Sequence, residues 1–89
     1  MRAVITVVGK DMVGILARVS AFCAENNVNI IEVTQSILQD MFCMIMLVDT
    51  RECTREFTDF ADLLAKLGEE NGLVISAMHE EIFNTMHRI

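Results

Sequence analysis

Two segments of this chain are apolar on both faces, which restricts where they can sit. Ala3-Val4-Ile5-Thr6-Val7-Val8 is mostly β-branched and offers water no polar side. Read as a strand over Arg2 to Gly9, it needs cover on both faces and belongs in the middle of a sheet. Met41 to Asp49 behaves alike. Phe42, Met44, Met46 and Val48 alternate with Cys43, Ile45 and Leu47, so period two leaves no wet face. A chain of 89 residues has material for one domain and one core. One helical layer covers one side of a sheet, so the other side of this strand must meet something else. A second copy of the chain is the simplest cover.

The remaining segments alternate between helical and extended periodicity. Ile15, Leu16, Val19, Phe22 and Cys23 form a stripe at helical spacing, interleaved with the helix-favouring Ala17, Ala21 and Ala24. Asn26-Asn27 should end that helix, because Asn tolerates the left-handed cap conformation. Over Asn29 to Leu38, Ile31, Val33 and Ile37 point one way while Glu32, Thr34 and Ser36 point the other. Gln39-Asp40 reads as a tight hairpin turn. Thr54 is expected to cap a second helix, with Glu56 and Asp59 near its positive end and Phe57, Phe60, Ala61, Leu64 and Leu67 along its apolar stripe. Asn71-Gly72 stops it, and Leu73 to Met78 is a fourth strand. Glu80 to Ile89 reads as a short final helix with Ile82, Phe83, Met86 and Ile89 on one face.

The chain contains no proline, linker or repeat, so residues 1–89 are expected to form a single domain. The order β-α-β-β-α-β predicts an α+β, ferredoxin-like fold. It has a four-stranded antiparallel sheet, the first and third strands central, two helices on one face, and a short C-terminal helix. Such a fold hosts many unrelated functions.

Charge and residue types narrow these. Seven Lys and Arg against thirteen Asp and Glu leave a net charge of −6, which argues against nucleic acid and anionic membranes as partners. The aromatic residues are five Phe with no Tyr or Trp, and Phe57 and Phe60 belong to a helix, unlike a sheet that stacks RNA bases. Cys23, Cys43 and Cys53 lack a C-x-x-C spacing, so metallochaperone chemistry is not expected. Ala3 to Val8 is too short for a secretory signal and no apolar stretch reaches membrane-spanning length, so a reduced, cytoplasmic protein is expected. His79 and His87, with Glu80 and Glu81, lack the i, i+4 pairing of a zinc helix, so no metal or other cofactor is expected. An acylphosphatase would need a phosphate cradle in the first loop, where Asp11 would repel phosphate. The chain is therefore read as a non-enzyme.

That loop, Gly9-Lys10-Asp11-Met12-Val13-Gly14, lies where the first strand turns into the first helix. A helix start presents unpaired N–H groups and partial positive charge, which attract a carboxylate. Asp11 either caps the helix or holds an ammonium group, and Gly14 either packs closely or opens the backbone to a ligand. Asn29 has a local alternative too, a hydrogen bond in the turn before its strand.

The run Val7-Val8-Gly9-Lys10-Asp11-Met12-Val13-Gly14-Ile15-Leu16-Ala17 resembles the opening of an ACT domain, and Asn27-Val28-Asn29-Ile30 resembles the family's approach to its second strand. Met44 to Asp49 and the tail Glu80 to Ile89 are similar to a small bacterial group of single-ACT proteins, itself similar to half of the glycine-cleavage repressor. The resemblance implies a ligand lying between two domains. It implies contacts from Asp11, Met12, Val13, Gly14 and Ile15 of one domain and from Asn29 and Ile30 of the other. Val13 stands where relatives often have proline, and Asp40 where they often have glycine. The implied function is a regulatory module that binds a small molecule, an amino acid foremost, at a homodimer interface and modulates a separate protein partner. A ligand-free dimeric interaction module is the alternative.

Overall fold

The computed structural model describes residues 1–10 and 13–86. Its elements run β1 (Arg2–Gly9), α1 (Ile15–Glu25), β2 (Asn29–Leu38), β3 (Met41–Asp49), α2 (Phe57–Glu70), β4 (Val74–His79) and α3 (Glu80–Met86). The strands form one antiparallel sheet in the order β2-β3-β1-β4, the ferredoxin-like arrangement with the two doubly apolar strands at its centre.

Alternation along the central strands decides which side chains meet the helices. Ala3, Ile5 and Val7 of β1 and Met44, Met46 and Val48 of β3 are buried with Ile15, Val19 and Cys23 of α1 and Phe60 and Leu64 of α2. Phe60 is fully buried and stacks on Phe22 with ring centroids 5.4 Å apart, which joins the two helices over the sheet. The opposite face is defined by the paired residues Val4, Thr6 and Val8 of β1 and Leu47, Ile45 and Cys43 of β3. Its β4 members are Met78, Ser76 and Val74, and the Thr6 and Ser76 hydroxyls hydrogen bond at 2.7 Å. α3 packs on β1 and β4, and Arg2 pairs with Glu80 at its start.

Helix ends follow the sequence signals in most places. Asn26 is the C-cap of α1 and Asn27 takes the left-handed conformation at φ 61°. Gly72 does the same after α2 at φ 69°. Gln39 carries the positive φ of the 39–40 hairpin, at 57°.

Three expectations are corrected. Thr54 does not cap α2: its N–H and hydroxyl reach the carbonyl of Asn26 at 3.0 and 3.5 Å, and the N-cap position falls on Glu56, which makes no side-chain cap bond. The fourth strand starts at Val74 and runs on to His79. Strict alternation in β2 fails at a bulge between Ile30 and Glu32, where Ile30 pairs with Val48 and Glu32 with Leu47. The bulge adds one unpaired residue, so Ile30 joins Val33 on the helix side and Ile31 is left 45% exposed.

Candidate functional site

The first loop leaves β1 at Gly9, which is buried against Leu73; a side chain there would collide with the Leu73 isobutyl group. Asp11 and Met12 lie outside the described residues. Val13 is 92% exposed, whereas Ile15 is 3% exposed and belongs to the core. Gly14 is the N-cap of α1 in a left-handed conformation, φ 75° and ψ −3°, and its carbonyl accepts the first helical bond from Arg18 at 3.1 Å. The cap position is Gly14. A Cβ added to Gly14 would meet no atom of the described residues within 4 Å, its chain neighbours aside.

The first turn of α1 carries no compensating charge of its own. The helix has no side-chain cap bond and no acidic residue in its first turn, so its own first turn does not offset the positive end of the helix. Lys10 is paired with Asp40 at 3.6 Å, both well exposed, which brings the loop beside the β2–β3 hairpin. A surface pair of this kind stabilises by about 0–1 kcal/mol, so its value here is positional.

Asn29 and Ile30 are elsewhere. In the sheet register Gly9 aligns with Phe42 and Ile37 at one end, and Arg2 aligns with Asp49 and Asn29 at the other. Seven residues of strand separate those ends, roughly 23 Å at about 3.3 Å per residue. One chain therefore brings Gly14, Val13 and Ile15 together but leaves Asn29 and Ile30 at the far end of the sheet. The Asn29 side chain is exposed and makes no hydrogen bond among the described residues, so the local turn bond is not formed.

The Met1 end of the sheet holds features that residue patterns did not announce. A cleft of about 330 Å³ is lined by Met1, Thr50, Arg51, Cys53, Arg55 and Phe57. Beside it a second cleft of about 380 Å³ is lined by Met1, Arg2, His79, Glu80, Glu81 and Ile82. The Phe57 and His79 rings stack with centroids 4.1 Å apart, and His79 Nδ1 is buried without a hydrogen-bond partner among the described residues. The one sequence signal for the first cleft was two arginines flanking Cys53. Among the described residues no group of three or more His, Cys, Asp or Glu could hold a metal ion. His87 lies outside them. No described helix is long and apolar enough to cross a membrane.

Comparison with known proteins bears on this geometry. A family model described as an ACT domain matches residues 2–77. A UPF0237 protein of Clostridium perfringens is 48% identical over 89 residues, covering 100% of both chains. Among solved structures, an ACT domain protein from Streptococcus pneumoniae superposes with a TM-score of 0.82 at 36% identity, covering 93% of each chain. A structure described as a glycine cleavage system transcriptional repressor gives a TM-score of 0.70 at 26% identity, over 86% of this chain and 44% of that one.

Proposed function

The chain belongs to the ACT domain family of regulatory ligand-binding modules, and on that premise we propose that it binds an amino acid between two copies joined along their β2 edges, modulating a separate protein partner. The observation that carries this reading is the character of β2. It is an edge strand, and it leaves Ile31, Val33, Ile37 and Leu38 exposed at 45, 37, 65 and 76%. A long apolar edge with unpaired N–H and C=O groups is a template for adding another strand.

Pairing β2 antiparallel with β2 of a second copy reverses the second strand. Its Asn29 and Ile30 then arrive beside Ile37 and Leu38 of the first copy, at the end of the sheet where Lys10 and Asp40 hold the first loop. The two halves of the expected site, remote within one chain, become neighbours across the edge. The α1 start receives the ligand carboxylate past Gly14, and the polar Asn29 of the second copy faces its other groups. The symmetric edge contact repeats the site twice per dimer. A ligand shared by two copies binds the pair better than the single chain, so its concentration sets the dimer population that a partner meets.

Two measurements test this. A thermal-shift screen against the twenty amino acids should find a binder, which at 100 times its dissociation constant raises stability by about 2.7 kcal/mol. Sedimentation at micromolar concentration should show a dimer that Val33→Lys, a charge placed on the edge, converts to monomer. A wild-type monomer overturns the shared site. A dimer that no amino acid stabilises leaves the ligand-free interaction module as the better account.

A further inference from the structure

We propose that the cleft at the Met1 end of the sheet is a second ligand site, one that takes a small organic carboxylate carrying an apolar body and no ammonium group. It does not rest on the amino-acid reading of the first loop, which opens at the opposite end of β1.

The argument begins with Arg55. In this acidic chain Arg2, Lys10 and Arg51 each hold a carboxylate, on Glu80, Asp40 and Asp49. Arg55 forms no ion pair among the described residues. Its Nε donates instead to the neutral Oδ1 of Asn26 at 2.6 Å. Asn26 is 3% exposed, the one fully buried polar residue among those described, and every part of it is engaged. Its Nδ2 donates to the Phe22 carbonyl at 2.8 Å, and its carbonyl accepts the Thr54 N–H at 3.0 Å. The interior thus anchors one edge of the Arg55 guanidinium without neutralising it. Both terminal nitrogens remain without a hydrogen bond among the described residues, and a guanidinium so held is pre-organised for a two-oxygen acceptor.

The other lining groups decide the ligand class. Arg51 is already spent on Asp49, through Nε at 3.0 Å and its terminal nitrogen at 3.0 Å, and that pair is close to neutral. The Asp49 carboxylate also accepts the Arg51 N–H at 3.0 Å and already faces the Met1 ammonium at 3.9 Å, so a second ammonium group would find it engaged. A zwitterionic amino acid would therefore bring a cation towards Arg55 with no partner waiting. Phe57 and Cys53 form a half-buried apolar wall packed on the core, which a body of carbon fills and a hydrated inorganic anion does not. A volume of about 330 Å³ is at the small end for ligand pockets. A branched-chain 2-oxo acid has every one of these properties.

Cys53 makes the site readable in the intact protein, because it lines the cleft. Alkylation by iodoacetamide, followed residue by residue by mass spectrometry, reports occupancy at Cys53. Cys43 on the far sheet face serves as the internal reference. Cys23 stays silent, since it is fully buried and burial pushes its thiol up to about 11. The probe is 4-methyl-2-oxopentanoate. L-leucine, the same body with an ammonium group, and inorganic phosphate are the comparison arms. At ten times its dissociation constant the oxo acid leaves roughly a tenth of the clefts open, so Cys53 labelling should slow about tenfold while Cys43 labelling is unchanged. Arg55→Gln should weaken that protection roughly 10- to 100-fold in concentration, the worth of a charge-assisted hydrogen bond. Should that variant lose its native circular dichroism, Arg55→Lys, which keeps the charge without the fork, must weaken protection instead. The proposal is overturned if the oxo acid leaves Cys53 labelling unchanged. Equal slowing by L-leucine or phosphate also overturns it, as does protection that survives both Arg55 variants.

Discussion

Gly14→Asp and Gly14→Asn are near-isosteric changes that separate the backbone role of this glycine from its place in the ligand site. At φ 75° a non-glycine residue is strained, by about 1–2 kcal/mol in general and towards the lower figure for Asn and Asp. The described residues add no steric cost, because a Cβ at Gly14 meets none of their atoms within 4 Å, its chain neighbours aside. Both variants should therefore fold and lose about 1 kcal/mol, seen as a melting point lower by about 4–8 °C. They differ in charge alone. The carboxylate of Gly14→Asp would stand at the start of α1, where the ligand carboxylate is proposed to lie. Two carboxylates about 4 Å apart repel by about 1 kcal/mol in a water-like medium and about 4 kcal/mol at the effective dielectric of a protein surface. The affinity for whichever amino acid stabilises the wild type should then be roughly 5- to 1,000-fold weaker in Gly14→Asp than in Gly14→Asn. Titration calorimetry on the two variants measures that ratio. Equal affinities in two folded variants would refute the placement of the ligand carboxylate at the α1 start.

Gly68→Ala should destabilise, although alanine is the better helix former by about 1 kcal/mol. Its methyl would lie 2.8 Å from Ile75 Cγ1, 2.9 Å from the Leu73 carbonyl oxygen and 3.0 Å from the Ile75 nitrogen, and the two backbone atoms cannot step aside. Overpacking of about 1–3 kcal/mol outweighs the propensity gain. A urea midpoint at or above that of the wild type would show that α2 lifts freely from β4. Acid should weaken the anchoring of α3. The hydrogen bond from Arg2 and then its charge hold the Glu80 carboxyl below its ordinary value of 4.5. A lowered carboxylate contributes stability that is complete above that ordinary value and is lost as pH falls through the lowered one. Glu80→Gln should remove this part of the pH dependence, and a denaturation series from pH 6 to 2 that is unchanged by the substitution would contradict it.

The element order and the core were legible in local pattern. The runs over Arg2 to Gly9 and Met41 to Asp49 are apolar on both faces, which suits the middle of a sheet, where they lie; their helix-facing residues are buried, while most on the far face are only partly so. The stripes through Val19 and Cys23 and through Phe60 and Leu64 follow from helical spacing, and Asn27 and Gly72 end their helices because few other residues accept a positive φ. The first loop was legible as a helix start that attracts anions, and its reading as half of a shared site came from the family resemblance and stands as a proposal.

Other features depend on what comes together from distant parts of the chain. Alternation could not foresee the bulge at Ile31, since a bulge is a mismatch between two strands and not a property of one. Thr54 has the chemistry of a cap, yet the buried carbonyl of Asn26 claims it first. The sheet register sets Asn29 and the first loop at opposite ends of the sheet within one chain, so the shared site we propose needs a second copy. The Met1 cleft was hidden most fully. Nothing local distinguishes Arg55 from a solvated arginine. Its meaning comes from Asn26, 29 positions away, which fixes the guanidinium without cancelling its charge. Sequence periodicity settles which residues avoid water; which polar groups are left unanswered is decided only when the chain has closed on itself.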